Sequence, residues 1–154
     1  MSSATAPQSN RASTSEIAAH LRRCDREFHP ALSARVDIDE YAAKLWAKAE
    51  RFESWDGDVL VGLLAVYCND AADRGAFVTS ISVLPEWAGR GIATALVGDC
   101  IAYCTRHGAR RIRLEVACDQ ASAIHLYEKH GFTRVPGDGG NLKMKLELET
   151  LRNP

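Results

Sequence analysis

Gly89 and Gly91 stand where a strand-like run meets a helical one, and the chemistry such a junction suits is the binding of a phosphate. The first turn of a helix leaves its N–H groups unpaired and carries the positive end of the helix dipole, so an anion there gains hydrogen bonds and charge attraction together. Glycine in the entering turn opens backbone conformations that a side chain forbids and lets a ligand approach the main chain. Two familiar phosphate loops fail the comparison. The loop closes Gly91-Ile92-Ala93-Thr94 without the lysine of a Walker A ending, and Thr94 stands where a dinucleotide fingerprint requires a third glycine. Metal chemistry finds no support either: His125 and His130 are five residues apart, no HExxH occurs, and the five cysteines include no CxxC, so no metal is expected.

The elements that must hold this junction can be read on either side of it. Residues 77–83 alternate Phe77, Thr79, Ile81, Val83 with Val78, Ser80, Ser82, as a half-buried strand does, and Pro85 ends the ladder for want of an N–H. Ile92, Leu96, Cys100 and Cys104 then recur at helical spacing up to a C-terminal glycine, Gly108. Upstream, Ser13 and Glu16 form a capping box for a helix over residues 14–27, with Ile17, Leu21, Cys24 and Phe28 on one face. Pro30 interrupts it, and after a loop over 28–36 a second helix begins near Asp37 with Ile38, Tyr41, Leu45 and Ala49 aligned. Asp56-Gly57-Asp58 between strand patterns at 51–55 and 59–68 marks a hairpin. Downstream, residues 110–116 alternate, a helix opens at Asp119 or Gln120 and stops at Gly131, and strands at 132–135 and 142–148 flank a glycine-rich turn at 137–140. The order α-α-β-β-β-α-β-α-β-β predicts an α/β (α+β) fold: a mixed sheet with helices on it and one parallel pair joined by a right-handed crossover.

Composition bounds the function. One domain over residues 14–154, preceded by a small, polar, disordered tail at 1–13, accounts for 154 residues that are 46% hydrophobic and 25% charged. A net charge of −1 and a pI near 6.5 give no reason to expect nucleic acid or an anionic membrane as partner. The cluster Arg106, Arg110, Arg111 and Arg113 reads first as solvated surface. An odd number of scattered cysteines fits a reducing, cytoplasmic setting, and no apolar run has the length of a signal core or a membrane span.

In their order and spacing, VLPEWAGRGIATAL, LEV and ASAIHLYEKHGF, within residues 52–148, resemble the GNAT superfamily of acetyl-CoA-dependent N-acetyltransferases. The resemblance implies a mostly antiparallel sheet with a splayed parallel strand pair. The family pattern begins with a strand before its first helix, and residues 1–14 do not read as one, which leaves the sheet open to lacking that edge strand. It also implies acetyl-CoA as cosubstrate. The coenzyme pyrophosphate would lie on the amides of Ala88, Gly89, Arg90, Gly91, Ile92, Ala93 and Thr94, the pantetheine arm along the backbone of Ile81, Ser82 and Val83, and a further contact on Gln120. Ala88 departs from the Gln or Arg usual at the first position, which removes one side-chain contact but not the amide cradle.

By the same resemblance Tyr127 protonates the departing thiolate, a task suited to a phenol, which is protonated at neutral pH. The base is a choice between readings. The strand at 77–83 has no carboxylate, whereas Glu115 stands twelve residues before Tyr127, where other members carry one; the rival role for Glu115 is a salt bridge with Arg113 or Arg111. The first two helices and their loop cover the acceptor in this family, so Phe28, Arg35, Tyr41, Tyr67 and Asn69 are the candidate acceptor contacts. The absence of an acidic run favours a small amine, an amino sugar or amino acid derivative, with the protein a monomer or homodimer. The alternatives are a protein N-terminal or lysine acetyltransferase and a non-catalytic acyl-CoA-binding module.

Overall fold

The computed structural model describes residues 6–70, 74–137 and 141–148. Its strands are β1 (Ala6–Ser9), β2 (Glu50–Asp56), β3 (Val59–Asp70), β4 (Gly75–Val83), β5 (Arg111–Ala117), β6 (Thr133–Val135) and β7 (Asn141–Glu147). Its α-helices are α1 (Thr14–Arg23), α2 (Ile38–Lys48), α3 (Ile92–Arg106) and α4 (Ala121–Lys129). The strands form one sheet in the order β1-β2-β3-β4-β5-β7-β6, antiparallel throughout except for the β4–β5 pair that α3 connects. Among the described residues no helix is long and apolar enough to cross a membrane.

Alternation along β3 sorts the core onto two faces. Leu63 and Ala65 pack with α1 and α2, while Leu64 and Val66 pack with α3 and the rest of the larger core. Gly62 is where α3 comes closest to the sheet: a Cβ there would lie 2.6 Å from Cγ2 of Ile92, so only glycine leaves room for the first turn of that helix. Helix α1 starts at the expected capping box, Ser13 accepting from the Glu16 amide and Glu16 accepting from the Ser13 amide. It is shorter than its spacing predicts, ending at Arg23 and giving way to a 3-10 turn at Asp25–Glu27.

The edge strand that residues 1–14 gave no sign of is present. β1 pairs antiparallel with β2 from Ala6↔Trp55 to Ser9↔Phe52. Residues 6–13 therefore belong to the fold and not to a disordered tail; residues 1–5 lie outside the described residues. The reason is that pairing at an edge uses backbone groups only, so Ala6-Pro7-Gln8-Ser9 needs no alternation to join the sheet. A buried carboxylate completes the anchor: Glu53, 1% exposed, accepts from the amides of Arg11 and Ala12, from Nε1 of Trp55 and from Nε of Arg51. The loop expected at 69–75 is shorter than its composition suggests, since Asn69 and Asp70 extend β3 and Gly75 opens β4; residues 71–73, and residues 138–140 of the glycine-rich turn, lie outside the described residues.

Candidate active site

The cleft follows from how little β4 and β5 share. They pair only from Gly75↔Arg111 to Phe77↔Arg113, and beyond that the two strands part. The β4 backbone from residue 78 onward therefore meets no partner on the β5 side, and a ligand can occupy the gap as a strand would. On its other side β4 pairs with β3 through a register shift in which Ser80 faces Ala65 and Val78 faces Val66, leaving Thr79 over as a bulge. The Tyr41 hydroxyl, from α2, lies 2.8 Å from Oγ1 of Thr79 and donates to its carbonyl at 3.2 Å, so the bulge is pinned from behind. Burial pushes the Tyr41 hydroxyl above the ordinary phenol value, with the hydroxyls of Thr79 and Ser80 and the charge of Arg35 acting the other way.

A cleft of about 370 Å³ fills the space where the strands part. It brings together Tyr127, Glu115, Gln120, Ile81, Phe28, Arg35 and Tyr41 from the residues that the sequence singles out. Tyr127, on α4, is 5% exposed; its ring packs against Phe132 with centroids 5.8 Å apart, and burial alone raises its hydroxyl well above the usual phenol range. Glu115 projects from β5 on the face opposite the buried Ile112, Leu114 and Val116. Arg111 reaches Glu147, at 3.6 Å. Phe77 is 36% exposed on the cleft wall, whereas Val78, Ser80 and Ser82 form the more buried face of β4.

Ser82, Val83 and the glycine segment do not line this cleft; they lie along the strand and turn that lead away from it. After β4, a 3-10 turn at Pro85–Trp87 ends on Ala88, and both Gly89 and Gly91 have φ of 80°, a conformation open to glycine. Gly91 is the N-cap of α3 and no side chain caps that end, so the amides of Ile92, Ala93 and Thr94 are left for a ligand. Arg90 stacks over Trp87 at 4.4 Å and donates to the Glu86 carbonyl at 3.5 Å, while Glu86 pairs with Arg23 of α1. Its charge thus sits at the mouth of the turn. Tyr67 lies behind the sheet, under the ammonium of Lys44 at 5.5 Å, with its hydroxyl buried and without a hydrogen bond; it does not reach the cleft. The Asn69 backbone belongs to β3 and its side chain is outside the described residues.

Sequence spacing missed His20. It is 2% exposed on α1, with Nδ1 at 2.9 Å from the Leu60 carbonyl and Nε2 at 2.8 Å from Oγ of Ser82. A carbonyl can only accept, so Nδ1 carries the proton and the Ser82 hydroxyl donates to Nε2. The signal was available: His20 is three residues after Ile17 and four before Cys24, on the apolar face of its helix.

The comparisons with known proteins give the family and the fold. Residues 14–132 match the model of the acetyltransferase (GNAT) family. Over 87 residues the chain is 34% identical to a mycothiol acetyltransferase of Geodermatophilus obscurus, covering 54% of this chain and 28% of that one. Over 86 residues it is 37% identical to the L-amino acid N-acetyltransferase AaaT of Escherichia coli, covering 54% and 52%. The chain thus spans about a quarter to a half of these curated relatives. The fold is shared with the solved structure of yncA from Salmonella typhimurium with its cofactor acetyl-CoA, at a TM-score of 0.72 and 20% identity over 93% of this chain and 94% of that one.

Proposed function

Since the chain belongs to the GNAT acetyltransferase family, we propose that it transfers the acetyl group of acetyl-CoA to the primary amine of a small molecule, an amino sugar or an amino acid derivative. The observation that carries this reading is the parting of β4 and β5, which leaves one cleft holding both a buried phenol, Tyr127, and a carboxylate, Glu115. The pantetheine arm would pair with the free backbone edge of Ile81–Val83 and the pyrophosphate with the amides that follow Gly89. Two of the relatives, named for mycothiol and for L-amino acids, support a small acceptor. All five cysteines are free thiols, which supports the cytoplasm as the setting.

In the reaction the amine lone pair attacks the thioester carbonyl carbon, the carbonyl electrons move onto oxygen, and their return expels the coenzyme A thiolate. The amine proton passes to Glu115, directly or through a water, and the sulfur receives its hydrogen bond and proton at Tyr127. Burial keeps this phenol protonated, and it also makes the phenol a weaker acid than the thiol. Its main contribution is accordingly a hydrogen bond to sulfur as negative charge develops there; the proton it passes to sulfur is restored through solvent, to which Glu115 releases the one taken from the amine. Release of free thiol from acetyl-CoA over a panel of amines tests the reading; coenzyme binding with no release toward any amine would leave a binding module instead.

Two substitutions sharpen the site. Gly91→Glu places a side chain at a φ of 80° and an anion beside the pyrophosphate amides, so calorimetry should find acetyl-CoA affinity lowered at least about tenfold; unchanged affinity in the folded variant would remove this turn from the coenzyme site. Glu115→Gln should lower kcat/KM most at low pH, where little free amine exists, with the deficit shrinking as the acceptor loses its own proton. Because Glu115 is exposed, urea unfolding should move by no more than about 0.5 kcal/mol. An unaltered pH–rate profile rules the base role out.

A further inference from the structure

The acetyl-transfer chemistry leaves several polar groups of the cleft without a task, Arg35 and Ser80 among them. Arg35, at the C-terminal end of a 3-10 turn over Leu32–Ala34, lines the cleft and makes no ion pair among the described residues. Ser80 lines the same cleft and is 6% exposed, and its buried hydroxyl, which lies near that of Tyr41, makes no hydrogen bond of normal geometry. A buried hydroxyl left unpaired is costly, and an acceptor atom brought by a ligand removes that cost. A guanidinium is the side chain best shaped to hold two oxygens of one planar anion.

We propose that Arg35 and Ser80 form a carboxylate subsite, and that the acceptor is an amino carboxylic acid with an apolar side chain. This rests on the acetyl-transfer reading of the same cleft. The neighbouring groups favour a carboxylate over a phosphate, because Glu27 and Glu115 also line the cleft and would repel a dianion. They favour an acceptor of both charges, its ammonium facing a carboxylate and its carboxylate facing Arg35. Phe28, Val36 and the exposed face of Phe77 supply apolar wall for the side chain.

The test compares free leucine, methionine and phenylalanine with their amides as acceptors, in the parent protein and in Arg35→Gln and Ser80→Ala. In the parent, kcat/KM should be at least about tenfold higher for each acid than for its amide, because an amide leaves the guanidinium unpaired. In Arg35→Gln that ratio should collapse towards one, chiefly through KM, and Ser80→Ala should lower it in the same direction. A hydroxyl that was merely structural would leave the ratio unchanged. Equal use of acids and amides, or a ratio that survives Arg35→Gln, overturns the subsite while acetyl transfer stands. Should no amine release thiol, the acetyl-transfer reading is what fails. The subsite is then decided by calorimetry with N-acetylleucine and its amide in the presence of coenzyme A: preference for the acid that Arg35→Gln abolishes supports it, and equal or absent binding overturns it.

Discussion

Tyr127→Phe should lower kcat by about 10² to 10⁴ and leave acetyl-CoA affinity within about twofold of the parent. The separation is expected because the substitution removes one oxygen and nothing else. The ring packs against Phe132 and is 5% exposed, so phenylalanine keeps the apolar contacts that hold α4 in place. Within the protein the hydroxyl has no hydrogen-bond partner among the described residues, so its loss strands no buried group. What disappears is the donor to the thiolate, an interaction made only as the carbon–sulfur bond breaks, and such interactions register in kcat and not in ground-state binding. Steady-state kinetics on a good acceptor beside calorimetry with the coenzyme measures both. A kcat within a few-fold of the parent would hand the proton to solvent. The pH dependence supplies an independent check. Burial raises the pKa of the phenol, so its protonated form persists above the ordinary phenol value, and the parent's kcat should show no alkaline fall through about pH 10.

The fold was legible wherever the sequence constrains a surface of two kinds or carries a local backbone signal. The alternation of β5 opposes a buried and an exposed set, the capping box at Ser13 and Glu16 and the Asp56-Gly57 turn are local backbone signals, and the structure follows all three. β1 escaped because an edge strand can be held by its backbone and by Glu53, a carboxylate forty residues away in sequence. The site divides along the same line. Glycines at 89 and 91 and the spacing of Glu115 and Tyr127 are local signals, and those residues fall on the turn and in the cleft. Tyr67 misled because a tyrosine near the end of a strand can sit on either face, and here the pleat turns it to the side of α1 and α2. That Arg35 and Ser80 share a cleft depends on where β4 and β5 stop pairing, a long-range property that no window of residues contains.

His20 makes the protein sensitive to acid in a window that its surface carboxylates alone would not set. Burial is the chief cause that brings the imidazole from an ordinary 6.5 to about 4, with the hydrogen bonds to Leu60 and Ser82 opposing and the charge of Arg23 adding to the fall. The direction fixes the sign. A depressed pKa means that between the two values the unfolded chain binds a proton that the folded chain refuses, so stability is full above about pH 6.5 and drains away as pH falls towards 4. At about 1.4 kcal/mol for each unit, the loss comes to about 3 kcal/mol, a large part of a small domain's margin. In the folded state the protonated ring keeps its bond to Leu60, but Nε2 becomes a donor, so the Ser82 hydroxyl must turn from donating to accepting. Since Ser82 is one end of that bond and belongs to the segment whose backbone would carry the pantetheine arm, coenzyme affinity should weaken in the same window. Urea unfolding from pH 7.5 to 4, run on the parent and on His20→Gln, isolates this contribution from the carboxylates that both proteins share. The parent should hold its full advantage at pH 7.5 and lose about 3 kcal/mol of it by pH 4. A difference that stays constant with pH, or an imidazole that titrates near 6.5 in the folded protein, would show that His20 is neither buried neutral nor the source of the acid limb.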